Sequence, residues 1–159
     1  MIKTIEEKDK IDTYRNAVVS LEEMIRELPG AMINDCFPLT HKFVNGKYIR
    51  TIIMPKDFII VSKIHKHEHP YFVIKGEVSV ITEDGVKTIK APYQGITPAG
   101  TKRMLRIHKE CTWITVHDNP DNITDLEMLE DMIIAKSFDD VLPDYAKMFI
   151  EQEVNPCHS

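Results

Sequence analysis

Between Leu39 and about His117 the chain breaks into short runs rich in β-branched and aromatic residues, each closed by a turn signal. This spacing constrains the fold more than any other feature. The signals are Asn45-Gly46, Pro55-Lys56-Asp57, Asp84-Gly85, Ala91-Pro92 and Pro98-Ala99-Gly100. Asn-Gly and Asp-Gly favour tight hairpins because both residues tolerate the positive φ such turns require, so consecutive runs should pair antiparallel. The runs at 48–54, 58–64, 71–81, 86–90, 102–107 and 112–117 recur at the spacing of a sandwich or barrel.

Helical periodicity flanks this β unit on both sides. Ile11, Tyr14, Val18, Leu21, Ile25 and Leu28 recur at steps of three and four, and Pro29-Gly30 stops the pattern. Thr4 with Glu7 and Ser20 with Glu23 both have capping-box spacing, which leaves open one helix or two. After the β unit, Thr124 and Glu127 repeat that spacing ahead of the stripe Leu126, Leu129, Met132, Ile133, and a further short helix is expected over 145–152. With 159 residues, 43% of them hydrophobic, one core suffices. A single domain is expected, with a helical segment at 1–30, a barrel at 31–120 and a second helical segment at 121–159.

Charge and cysteine content narrow the function classes. A net charge of −5 disfavours nucleic-acid binding, which needs a basic face. No apolar run approaches the roughly 20 residues of a membrane span, and the N-terminus lacks the apolar stretch of a signal peptide, so a cytoplasmic protein without a membrane partner is expected. Cys36, Cys111 and Cys157 are odd in number, far apart and read as free thiols. There is no Gly-x-Ser-x-Gly elbow, Walker loop, Rossmann glycine pattern or His-Glu-x-x-His.

The chemistry concentrates in His65-Lys66-His67-Glu68-His69. Residues two apart on a strand share a face, so a strand running through this segment presents His65, His67 and His69 together. Neutral imidazoles suit zinc, iron, nickel or copper, and three of them leave coordination positions for water or substrate. The competing reading places these histidines at a solvated strand end. Trp113 can stack on a ligand or belong to the core. His117 precedes Asp118, which could orient it as a base, and His41 and His108 have no evident partner.

The segment from His65 to Val78 resembles the first motif of the cupin family, with a His-x-His pair, a nearby acidic ligand and a strand ending in glycine, here Gly76. The segment Gly95-Ile96-Thr97-Pro98-Ala99-Gly100-Thr101-Lys102-Arg103 resembles the Pro-x-Gly turn of the second. The resemblance implies a mainly β, double-stranded β-helix (jelly-roll) barrel with an N-terminal helix and one or two C-terminal helices. It also implies a divalent metal such as Zn, Fe, Mn or Ni, and a homodimer.

The match is incomplete. Counting back seven residues from Gly76 puts the family's acidic ligand at His69, its second histidine at His65 and its first at Lys63; taking His65-x-His67 as the pair instead puts the acid at Tyr71 or Phe72. The fourth ligand position is Arg103, a guanidinium without a lone pair to give. A metal would then rest on His65, His67 and His69, with His117 as a further candidate, while a metal-free pocket would use Arg103, Lys63 and Lys102 to hold an anion. Tyr71, Trp113 and His117 complete the expected substrate-binding set. The run from Leu39 through Thr124-Asp125-Leu126-Glu127 further resembles small cupin-like proteins of tailed bacteriophages. Two functions remain: a metal-dependent enzyme acting on a small polar or anionic molecule such as a sugar or carboxylic acid, or a non-catalytic small-molecule-binding or assembly protein.

Overall fold

The computed structural model describes residues 4–31 and 36–140. One helix, α1 (Ile5–Glu27), precedes the barrel. The Thr4 side chain accepts from the Glu7 amide at 3.2 Å while Glu7 accepts from the Thr4 amide at 2.7 Å, a capping box that satisfies two otherwise orphaned donors. Ser20 lies inside the helix, so the second capping-box spacing starts nothing. Ile11 and Val18 are buried. The Tyr14 hydroxyl shares its proton between the carbonyls of Ile81 at 2.7 Å and Lys102 at 3.0 Å, tying the helix to the barrel.

Among the described residues nine strands follow: β1 (Leu39–Val44), β2 (Gly46–Met54), β3 (Ile59–Val61), β4 (Ile64–His65), β5 (His69–Thr82), β6 (Gly85–Lys90), β7 (Tyr93–Thr97), β8 (Met104–Asn119) and β9 (Ile134–Ala135). Helix α2 (Leu126–Ile133) and a 3₁₀ turn at Phe138–Asp140 complete the described chain. The N-cap of α2 is Asp125, whose carboxylate accepts from the Met128 amide, one residue later than the Thr124 spacing suggests. The helix expected over 145–152 and Cys157 lie outside the described residues.

The two long strands organise everything else. β5 pairs with β7 over its first half and with β6 over its second, whereas β8 pairs first with β3 and then with β2. β5 and β8 also pair with one another along their length, with register shifts between Val73 and Val78. These shifts bend the pair, so that one antiparallel ladder contributes to both walls of the barrel. The expected strands at 102–107 and 112–117 are thus one continuous strand, and the expected run at 58–64 is two short ones divided by Ser62-Lys63. Strands β1, β7 and β9 were not resolved by the spacing of the runs.

The Asn45-Gly46 hairpin forms as expected, with Val44 opposite Lys47 and Gly46 at φ +76°. The next hairpin turns one residue early. Thr82 pairs with Gly85, so its loop is Glu83-Asp84, and Gly85 takes φ +109° as the first residue of β6.

Alternation along the strands fills the interior with Val73, Val78, Val80, Leu105, Ile107, Cys111 and Trp113. Each fully buried aliphatic side chain contributes about 1.5–3 kcal/mol relative to exposure. A second cluster of Tyr48, Leu129 and Ile133 seats α2 against one end of the barrel. Cys111 is fully buried and its thiol is pushed up to about 11 by that burial, so it is a core residue and not a nucleophile.

Gly76 stands at the centre of the bend with φ +95°, and a Cβ there would lie 2.2 Å from the carbonyl oxygen of Glu110. Gly76→Ala should therefore destabilise the fold by about 3 kcal/mol, through strain at positive φ and a clash with backbone. Urea denaturation measures this directly; a loss below about 1 kcal/mol would show that the bend can relax.

Candidate metal centre

Three histidines converge at the end of the barrel covered by α2. His65 sits on β4, which is held on one side by pairing with β9 and on the other by the Pro98-Ala99-Gly100 turn, whose Gly100 amide donates to the His65 carbonyl at 2.8 Å. His69 opens β5 and His117 lies near the end of β8. Ring centroids are 4.5 Å apart for His65 and His69, 4.4 Å for His69 and His117, and 5.7 Å for His65 and His117. One ring nitrogen from each lies within 4.8 Å of the others.

His67 does not join them. The chain bends at Lys66-His67 between β4 and β5, so there is no continuous strand through 65–69 and the simple alternation fails. His67 is exposed; its carbonyl instead faces His69 Nδ1 at 3.1 Å. That contact places the His69 proton on Nδ1 and leaves Nε2 with its lone pair, the way a supporting carbonyl orients a metal ligand. The sequence groups His65, His67 and His69; the fold brings His65, His69 and His117 together and leaves His67 outside the cluster. Two of these stand where counting back from Gly76 put the family's second histidine and its acid.

The environment keeps these imidazoles neutral. Burial, reinforced by His69, His117, Arg50 and Arg103, pushes His65 down to about 2. Burial, followed by His69 and Arg50, pushes His117 down to about 3. His69 is also lowered by burial, against the opposing pull of the His67 carbonyl. A neutral imidazole offers a lone pair at physiological pH, so the donor set fits a borderline transition metal. No carboxylate belongs to the cluster among the described residues.

The histidines line one end of a cavity of about 570 Å³ that also receives Arg50, Arg103, Lys63, Thr115 and Trp113. That volume suits a small organic ligand. Arg103 is fixed through its backbone, which exchanges hydrogen bonds with Ser62: the Arg103 amide donates to Ser62 Oγ at 2.9 Å and the Ser62 amide to the Arg103 carbonyl at 2.8 Å. Its guanidinium lies 4.9 Å over the Tyr71 ring, on which Trp113 stacks at 4.5 Å. Trp113 is 7% exposed, so it belongs both to the core and to the cavity wall.

Other expected residues are placed differently. Tyr71 supports Arg103 and is not among the residues lining the cavity. Lys63 reaches the cavity wall while pairing with Glu130 of α2. Lys102 is buried in an ion pair with Glu22 of α1, and so anchors that helix instead of facing a ligand. Asp118 pairs with Lys47 on the outer surface, and His117 meets Thr115 Oγ1 at 3.0 Å, so the adjacent His-Asp pair is incidental. His41 meets the Tyr48 hydroxyl, and His108 meets Ser79. Arg50 and Thr115 were missed. Both follow from alternation, since Arg50 shares one face of β2 with Tyr48, Ile52 and Met54, and Thr115 shares one face of β8 with Trp113 and His117.

No family model matches the sequence, and no curated protein matches it. Solved structures do. Ectoine synthase from P. lautus superposes with a TM-score of 0.50 at 14% identity, covering 69% of this chain and 81% of that one. With the strand pairing described above, that agreement decides the architecture. The chain has the cupin fold, a double-stranded β-helix barrel. A cupin-2 domain containing protein from Shewanella frigidimarina superposes at TM-score 0.45 and 14% identity, over 65% of this chain and 91% of that one. An RmlC-like cupin from Methanocaldococcus jannaschii does so at 0.42 and 17%, over 57% and 89%. Identities this low bear on the fold alone. No helix among the described residues is long and apolar enough to cross a membrane.

Neutral histidines carry a pH signature. Their folded values lie below the unfolded value of about 6.5, so above pH 7 neither state takes up protons, whereas below 6.5 the unfolded chain does and the folded chain does not. The melting temperature of chelator-treated protein should therefore be level above pH 7 and decline from about 6.5 to 5. The double variant His65→Asn, His117→Asn should decline less over that window. Equal slopes by differential scanning calorimetry would mean that the buried imidazoles are not held neutral.

Proposed function

We propose that this cupin binds a divalent transition metal, from among Zn, Fe, Mn and Ni, through His65, His69 and His117, and acts there on a small polar or anionic molecule. The carrying observation is three imidazoles, neutral by burial, with ring nitrogens within 4.8 Å of one another at the end of a cavity of about 570 Å³. A metal bound there would supply a Lewis acid, or a site at which bound water is acidified. The chain itself does the rest. His67 O orients the His69 ring, Thr115 holds His117, and Arg103 offers a fixed cation beside the centre. The apolar walls at Ile52, Met54, Phe58 and Leu105 exclude water from the ligand's far side.

A second reading is favoured by Arg103 itself, which stands at a position where the family motif has a ligand. In that reading the cupin captures an anion without turnover and without metal. The resemblance to phage-encoded cupin-like proteins and a homodimeric state belong to either reading; light scattering at twice the chain mass would support the dimer and a monomer mass would remove it.

Elemental analysis of untagged protein by plasma mass spectrometry separates the readings. About one equivalent of one metal is expected, with most of it lost in His65→Ala and in His117→Ala and retained in His67→Ala. No metal after reconstitution with Zn, Fe(II), Mn or Ni would overturn the metal centre; retention in His117→Ala with loss in His67→Ala would overturn this ligand set.

A further inference from the structure

The cavity changes polarity along its length, and the change is written into strand register. On the paired strands β2 and β8, Tyr48 faces His117, Arg50 faces Thr115, Ile52 faces Trp113 and Met54 faces Cys111. Tyr71 of β5 faces Thr115 from the other side, which brings the overlying Arg103 to the same level as Arg50. The order from the α2 end is therefore histidine, then cation, then apolar surface. At about 3.3 Å per residue, the apolar stretch from the Thr115 level to the Met54 level runs roughly 13 Å.

Arg103 supplies the second observation. Its Nε is buried with no hydrogen-bond partner, although a guanidinium N–H taken from water is costly to leave unpaired. Among the described residues it forms no ion pair; Tyr71 is its nearest polar neighbour, through its hydroxyl as well as its ring, and Glu83 and Tyr14 act on it from further off. The other charges at the wall differ. Lys63 is paired with Glu130, and Glu22 is engaged by Lys102 and Arg26.

We infer that the cavity takes an amphipathic carboxylate, its acid group on Arg103 next to the histidines and its apolar body along Trp113, Ile52, Met54 and Phe58. This rests on the reading of the cavity as a small-molecule site and narrows the ligand away from sugars. A carboxylate fits the planar fork of Arg103, which lines the cavity without an ion-pair partner among the described residues, whereas a neutral hydroxyl bonds it without charge assistance. The apolar levels offer a polyol nothing to bond with, whereas an alkyl or aryl chain gains by leaving water.

Octanoate is the probe, compared with octanamide, which keeps the chain and removes the charge, and with glucuronate, which keeps the charge and replaces the apolar body. Trp113 is the only tryptophan and lines the cavity, so its fluorescence reports occupancy, with calorimetry as the second readout. Octanoate should bind at least about tenfold tighter than octanamide and than glucuronate. The octanoate preference over octanamide should persist in chelator-treated protein, fall to about one in Arg103→Gln and survive in part in Arg103→Lys. No octanoate binding, equal affinity for octanamide in the native protein, a preference that vanishes with the metal, or glucuronate binding as tightly as octanoate would each overturn the inference. Metal content measured on the same samples keeps the two proposals apart. Missing metal with an intact octanoate preference removes the metal centre alone, and bound metal without that preference removes the carboxylate alone.

Discussion

Where Gly76 passes Glu110 and Cys111, two backbones approach so closely that no side chain fits between them. That approach allows β5 and β8 to remain paired while the ladder bends. A straight ladder of 14- and 16-residue strands would give a flat sheet with one covered face. The bent one encloses space, because the first half of each strand belongs to one wall and the second half to the other. His69 and His117 then stand on adjacent paired strands at the same end of the barrel, and β4 brings His65 to meet them.

Burial sets the protonation state of this cluster. Three solvated histidines would be partly protonated near neutral pH and would repel a cation. Packed beneath α2, with Arg50 and Arg103 nearby, they remain neutral and retain their lone pairs. Arg50 and Arg103 line the same cavity, so the neutral donor cluster lies beside cationic side chains. A metal held by three neutral ligands keeps its full charge, which would strengthen the attraction for an anion.

Much of the barrel was legible because alternation and turn chemistry are local. Asn45-Gly46, the helical stripe from Ile11 to Ile25 and the run 71–81 all appear as elements. Where reading failed, a longer-range contact had overruled the local signal. Residues 104–119 form one strand because pairing with β3, β5 and β2 carries it across the polar stretch His108-Lys109-Glu110. Lys66-His67 bend away because the Lys66 amide donates to Ile133 and β4 is committed to β9.

Strand period and turn preference act over a few residues, so an antiparallel barrel between helices, with its chemistry concentrated in the segment 65–69, could be read from the chain alone. The sequence could not choose among His67, His117 and the vacant ligand position at Arg103. That choice required knowing where β8 ends relative to β5, some 48 residues away between His69 and His117, and which face each residue presents after the bend at Gly76. Register across a bend is set by packing between distant segments, and it is this packing that groups His117 with His65 and His69, turns His67 outward, and stacks Arg103 on Tyr71 with one nitrogen still lacking a partner.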